Sequence, residues 1–342
     1  MKTQKKRYAI TLIGVLSLAH ACIDFLCAFS LYRSFISHSN AFLIYNFCAF
    51  ALQMPIGILI DMYNSKRKES YFISAFTTVL GIVLTVTGCF ISEIITGLGN
   101  AFFHAGGGVL TIYEDRNNQL KGKGLGVFVA PGAIGLILGI LYHDTSFYYP
   151  IIAVISIILL FVIVSLYRMR KEERLDIEIS LPDQAFIKIM ICFVVVVLRS
   201  LAGMAIVFPW KNDHLSILIS VFALALGKSA GGFLFSQYDM KKIIVATLGI
   251  SALAYLIGHE MGAGLLALFF FNMTMPLTLY LLSEELKGTP GFAFGILTFG
   301  LFLGYLPVLY GAFVQASPIF GTFASIVSMI FLLYFVKIGN YG

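Results

Sequence analysis

Seven polar side chains stand inside long apolar runs, where each is expensive to keep. His20 and Asp24 are four residues apart, as are Asn100 and His104, so each pair shares one face of a helix. Arg199, Lys228 and Asn272 stand in later runs. An imidazole titrates near neutral pH and can exchange a proton with a neighbouring carboxylate. A guanidinium or an ammonium recruits an anion. Together these types point to proton exchange beside an anion site. An ionisable group at the centre of a membrane helix costs about 2.5–3.5 kcal/mol on insertion scales, so it marks a functional position by default. Each residue also has a duller reading. His104 would be a tie between helices, Lys228 a side chain reaching for the membrane surface, and Arg199 a structural clamp. Asn100 and Asn272 would be packing, and Glu93 a solvated group at the outer interface. Their clustering at one depth favours the functional reading.

Other patterns fail on inspection. Gly227-Lys228-Ser229 has the end of a phosphate loop, but Phe222 stands where the first Gly is needed. Asn272-Met273-Thr274 has the glycosylation pattern but falls in mid-membrane. His259-Glu260 lacks the second His of a zinc protease. No nucleotide-binding domain is visible, which excludes transport driven by ATP within this chain.

Composition supplies the elements that must hold these residues. The 342 residues are 59% hydrophobic and only 12% charged, with mean hydropathy +0.92. Soluble domains carry about 25% charged residues, so an ordinary cytosolic enzyme is excluded and the bilayer is the solvent. A spanning helix needs about 20 apolar residues. Twelve stretches qualify: 8–36, 40–62, 71–89, 90–113, 124–142, 150–167, 185–209, 213–235, 243–258, 263–284, 291–313 and 318–338. The remainder leaves about 7 residues per connection, a usual helix–helix link. A β-barrel would alternate over segments of about ten residues, and these runs are continuous. The first run follows Lys2, Lys5, Lys6 and Arg7 as a signal peptide would, but it is too long and it contains His20 and Asp24.

The charges sort by side. Bases gather at the amino end and in alternate loops, at Lys66, Arg67 and Lys68, at Arg116, Lys121 and Lys123, from Arg168 to Arg174, at Lys241 and Lys242, and at Lys287. Lys337 closes the chain, and Lys211 and Arg33 are the exceptions. The positive-inside rule puts both termini in the cytoplasm of a multi-pass cell-membrane protein, and the even helix count agrees. Topology thus explains the net charge of +6, and no nucleic-acid partner follows from it. The five cysteines, all in helical runs without a CxxC spacing, read as small hydrophobes. No cofactor or resident metal is called for, and nothing demands an oligomer.

The sequence also repeats. Gly57-Ile-Leu-Ile-Asp61-Met-Tyr-Asn-Ser-Lys66-Arg67 ends the second run, and Gly232-Phe-Leu-Phe-Ser236-Gln-Tyr-Asp-Met-Lys241-Lys242 ends the eighth. The 175-residue offset is close to half the chain. This implies two six-helix bundles, 1–167 and 185–342, joined by a charged linker 168–184 and related by a pseudo-twofold along the membrane normal. The same offset makes Asp24 and Arg199 equivalent, at one depth on opposite halves. A charge pair between them would couple occupancy to rocking, and protonation of Asp24 would free Arg199 for an anion.

This pattern resembles the major facilitator superfamily over nearly the whole chain. Gly57, Asp61, Lys66 and Arg67 look like its cytoplasmic loop motif, without the usual base just after the Asp, and the second copy has Ser236 in place of Asp61. Gly126-x-x-x-Ala130-Pro131-Gly132-x-x-Gly135 resembles the fifth-helix motif of its antiporter branches, with Ala130 for a Gly. Gly97-Leu-Gly99-Asn100-Ala-Phe-Phe-His104 is similar to a stretch of the fosmidomycin-resistance exporters. The resemblance implies a cavity lined by helices one, four, seven and ten, which carry six of the seven residues.

The expected function is secondary active transport by alternating access. Asp24, His20 and His104 couple protons, while Arg199, Lys228, Asn100 and Asn272 hold a small organic anion or an amphiphilic compound. Gly57, Asp61, Lys66, Arg67 and Pro131 serve gating, since a proline lets its helix bend. The fifth-helix motif points to proton-coupled antiport, hence export. The alternatives are an uptake symporter for a small metabolite, a divalent-cation carrier using His20, Asp24 and His104, and a non-transporting membrane sensor or membrane-embedded enzyme. An enzyme would need a catalytic pair near one interface, which is not evident.

Overall fold

The computed structural model describes residues 2–35, 37, 40–67, 70–168, 184–313 and 315–339, with the side chains of 2, 3, 66, 67 and 70 excepted. The linker 168–184 thus lies outside the described residues except at its two ends, and so do the side chains of Lys66 and Arg67.

Among the described residues, each of the twelve apolar runs contains a helix. The runs 185–209 and 291–313 extend past theirs, which end at Ala205 and Leu309, and the run 90–113 begins before its own, which starts at Glu93. The helices are α1 (Lys2–Ser30, continued by a π-helical turn Leu31–Phe35), α2 (Ala41–Asn46 and Gln53–Arg67, joined by a π-helical turn Phe47–Ala51), α3 (Ser70–Gly88), α4 (Glu93–Asn117), α5 (Lys123–Tyr142) and α6 (Tyr148–Arg168). After the linker come α7 (Ala185–Ala205), α8 (His214–Phe235), α9 (Met240–Leu256), α10 (Met261–Glu285), α11 (Pro290–Leu309) and α12 (Ile319–Ile338). Ten of them are long and apolar enough to cross a membrane, which makes this a multi-pass membrane protein. The two that fall short are α4, rich in Gly and polar residues, and α9, at 17 residues.

Local chemistry sets the helix ends. Ser92 accepts the Ile95 N–H to cap α4, Asp213 and Ser216 form a capping box on α8, and Pro290 opens α11. Within the spans, hydroxyls bond back to their own helix, as Ser17 does to Ile13 and Thr78 to Ser74. No polar group is thereby left bare toward hydrocarbon at those sites. Large apolar side chains such as Ile157, Phe161, Leu253 and Ile330 point outward, as a lipid-facing surface requires.

Small residues decide which helices touch. Gly81 on α3 and Gly99 and Gly106 on α4 let those two backbones meet, since a Cβ at any of them would strike the partner's main chain. Gly135 and Gly139 press α5 against α1 at Ala21 and Phe25 in the same way. In the second half α7 packs on α11, and α9 on α10 and α12. Four helix pairs join residues before the linker to residues after it, α2 with α11, α4 with α11, α5 with α8 and α5 with α10.

Three spans are broken, the first being α2, interrupted at Leu52 after its π-helical turn. α5 is interrupted at Ala130, immediately before Pro131, which has no N–H to continue the ladder. α10 is interrupted at Met273, just after Asn272. The bend expected at Pro131 is therefore present, while the break at Met273 falls where Pro276 withholds an N–H from the Asn272 carbonyl four residues before it.

Candidate functional site

His20 and Asp24, one turn apart on α1, meet Asn100 and His104, one turn apart on α4. Asp24 Oδ2 lies 3.2 Å from His20 Nε2, and Oδ1 lies 3.6 Å from His104 Nε2. The two imidazoles touch edge to face, with their Nε2 atoms 2.8 Å apart. Asn100 Nδ2 donates to Asp24 Oδ1 at 3.2 Å and to Cys27 Sγ at 3.5 Å. Asn100 thus holds the carboxylate from behind rather than facing the cavity.

The other ring nitrogens are anchored to main chain. His20 Nδ1 donates to the Phe128 carbonyl at 2.7 Å, in the turn of α5 just before its interruption. His104 Nδ1 donates to the Asn100 carbonyl at 2.9 Å. Beyond Pro131, Gly132 leaves the room this cluster occupies, because a Cβ there would strike both His20 Nε2 and Asp24 Oδ2. Pro131 and Gly132 therefore act on the site as well as on the helix.

A cavity of about 360 Å³ opens beside the cluster. His20, Asp24, His104, Arg199, Lys211 and Lys228 line it, among apolar walls that include Phe50, Leu136, Leu224 and Phe294. Arg199 on α7 is 7% exposed, and its buried Nη1 makes no hydrogen bond. A buried guanidinium nitrogen without a partner is costly, so the cavity has a donor waiting for an acceptor. Asp24 and Arg199 thus face one cavity without bonding each other in this state. Lys228 lines the same cavity rather than turning to the surface.

Asn272 is placed differently. It donates to its own helix at Leu268, 2.9 Å away, and lines a side pocket of about 70 Å³ together with Arg199 and Lys211. Glu93 is buried in the first turn of α4, where a helix N-terminus favours an acid, and is not the solvated group expected. All five cysteines are buried, as small apolar residues would be.

A second cavity of about 530 Å³ shares Asp24, Phe50, Leu136 and Leu301 with the first. It runs to Leu31, Tyr32, Ile140 and Leu309, at the helix ends opposite the basic loops. At the basic end the two halves are sealed. Asp61 accepts the Gly291 N–H at 2.9 Å and the Phe292 N–H at 2.7 Å. Gly57 lies against the main chain of Gly291, too close for any Cβ. Arg116 pairs with Glu284 at 3.2 Å and donates to the carbonyls of Ser283 and Lys287. Gly126 and Gly232 bring α5 and α8 together beside it.

Sequence reasoning misses several of these partners. Lys188 and Glu285, at the ends of α7 and α10, form a buried 2.8 Å ion pair beside the seal. A buried Lys and an acid at matching depths is the only signal the sequence offers for that pair. Lys211, in sequence just an exception to the charge rule, lines the cavity. Gln53 lines the cavity too.

No sequence family and no curated protein matches the chain by sequence. Its fold, however, is found among solved structures. A fucose:proton symporter, FucP, described as a major facilitator superfamily transporter in the outward conformation, is 14% identical over 96% of this chain and 98% of its own, with a TM-score of 0.65. A variant of the E. coli fucose:proton symporter gives the same TM-score and identity over 95% and 98%. The human organic anion transporter MFSD10 is 12% identical over 96% and 99%, also with a TM-score of 0.65. This chain has the fold of the major facilitator superfamily transporters.

Proposed function

We propose that the protein is a secondary active transporter that works by alternating access and couples proton movement to a small organic anion or amphiphilic compound. The carrying observation is a cavity with an unpartnered buried Arg199 on one wall and a hydrogen-bonded His–Asp–His cluster on the other. Arg199 and Lys228 supply the anion's counter-charge, and the apolar walls accept an amphiphilic body. His20, Asp24 and His104 exchange the proton. This division does not suit a sensor, which gains nothing from buried groups of opposite charge on opposite walls, or an enzyme, which needs a reacting pair near its substrate entrance.

In this reading, all twelve helices span the membrane as two six-helix bundles, 1–167 and 185–342, in the cell membrane with both termini cytoplasmic. The sealed basic end is the cytoplasmic gate, and the cavities face outward. Gly57 and Asp61 shape that gate, Lys66 and Arg67 flank it, and Pro131 serves gating by letting α5 bend beside the proton cluster. A single chain contains the whole path, so a monomer suffices. The fifth-helix motif supports antiport and export. Symport is the second reading, favoured by an outward-facing cavity in a fold that the fucose:proton symporter shares.

Thermal unfolding of purified protein against a panel of anions, cations and neutral amphiphiles tests the substrate class. Amphiphilic anions should stabilise the wild type and fail to stabilise Arg199→Gln. Equal stabilisation of both proteins, or a response to cations alone, contradicts the anion assignment.

A further inference from the structure

Proton coupling, the reading on which this inference rests, requires a place to keep the proton, and the hydrogen bonds of the cluster specify one. His20 Nδ1 and His104 Nδ1 each face a main-chain carbonyl, at 2.7 Å and 2.9 Å. A carbonyl oxygen only accepts, so both Nδ1 atoms carry hydrogen. In a neutral ring of that tautomer Nε2 is a bare lone pair. The two Nε2 atoms are nevertheless 2.8 Å apart, a hydrogen-bonding distance at which two lone pairs repel. Changing either tautomer only moves the repulsion to the Phe128 or Asn100 carbonyl. One additional proton removes it.

We propose that His20 and His104 hold one shared proton between their Nε2 atoms, that Asp24 stays ionised as its counter-ion, and that this pair rather than the Asp24 carboxyl stores the coupling proton.

The balance is simple. A hydronium reaching the cavity gives its proton to one Nε2 and leaves as water; the pair gains a charge of +1 and, with Asp24, the cluster becomes neutral. Release reverses this and leaves the Asp24 charge uncompensated, able to attract Arg199 across the cavity. The charged groups facing the pair are Asp24 on α1, Arg199 on α7, Lys228 on α8 and Lys211 in the loop between them. From α4, α2, α10 and α11 come Asn100, Gln53, Thr278 and Thr298, the titratable Cys27 and Tyr45 stand near Asp24, and α5 offers the Phe128 carbonyl and apolar groups. The three donor atoms lie close enough together to invite a cation. A tetrahedral zinc with bonds of about 2.0–2.1 Å would hold its ligand atoms about 3.3 Å apart. The two contacts to Asp24, at 3.2 Å and 3.6 Å, are near that spacing, and the contact between the rings, at 2.8 Å, is the one that has hydrogen-bond length.

The test uses full-length protein in nanodiscs, labelled with nitrogen-15 at histidine, with no cargo present. Differences against His20→Gln and His104→Gln assign the two rings. The wild type should show both Nδ1 atoms protonated and one proton shared by the two Nε2 atoms near neutral pH. Asp24→Asn should keep the shared proton but require an about tenfold or greater proton concentration to fill it. His104→Gln, whose amide N–H can donate to His20 Nε2, should take up one proton fewer per molecule in a dye titration. Two neutral rings with a protonated Asp24 carboxyl in the wild type would overturn the proposal. So would a titration lost in Asp24→Asn but intact in both histidine variants. Because no flux is measured, a shared proton in a protein that carries nothing would sink the transporter reading alone, and coupled flux without a shared proton would sink this one alone.

Discussion

Asp61 Oδ1 accepts the main-chain N–H of Gly291 at 2.9 Å, tying the end of α2 to the start of α11 across 230 residues of sequence. Oδ2 accepts the next N–H, from Phe292. A carboxylate facing the free N–H groups of a helix start gains from both the charge-assisted bonds and the helix dipole. Asp61→Asn keeps the shape but turns an amide toward a donor, at a cost of about 1–3 kcal/mol to the sealed state. Spin labels at Asn117→Cys and Lys287→Cys report the gap, and the five native cysteines are buried. The longer-distance population should rise about tenfold or more in Asp61→Asn. An unchanged distribution refutes Asp61 as a gate residue.

Gly57 makes a steric prediction at the same seal. Any Cβ there meets the Gly291 carbonyl, and both sides are backbone, so nothing can rotate away. Gly57→Leu should therefore open the basic end and narrow the opposite one, with overpacking of about 1–3 kcal/mol as the driving cost. The same pair of labels reads it out. A Gly57→Leu protein still sealed at the basic end contradicts the packing account.

Gly132→Ala tests the support of the cluster. Its methyl would strike His20 Nε2 and Asp24 Oδ2. The expected result is a loss of about 1–3 kcal/mol in stability together with an altered pH response. Gly249→Ala is the control, because no atom stands near a Cβ at that position. Equal behaviour of the two variants in thermal unfolding and proton uptake would show that Gly132 has no such role.

Much of the fold is legible in the sequence because lipid imposes one rule, about 20 apolar residues per span, and each of the twelve runs contains a helix. The edges are less so. α2 continues to Arg67 as a helix where the apolar run stops near 62, since hydropathy marks the hydrocarbon and not the helix. The π-helical turns at Leu31–Phe35 and Phe47–Ala51 leave no periodic trace in the sequence. In the cluster, the i, i+4 pairs on α1 and α4 are visible as single faces. That the faces meet depends on packing among many residues, so the 2.8 Å contact between His20 and His104 cannot be read from spacing. The 175-residue offset pairs Asp24 with Arg199, and both line one cavity, but the offset gives no means of telling whether they bond. Asp61 stands out by motif alone; its partners are main-chain groups, which have no sequence signature.

Arg199 and Asp24 together carry the central claim, that anion and proton share one path. Protein in liposomes with an imposed pH gradient, a pH dye inside and a fluorescent aromatic carboxylate as probe measures both fluxes at once. The wild type should move the probe in step with protons. Arg199→Gln should lose probe movement by about tenfold or more, and Asp24→Asn should lose the gradient's drive while retaining probe exchange. Gradient-driven flux in Asp24→Asn equal to that of the wild type would contradict the account.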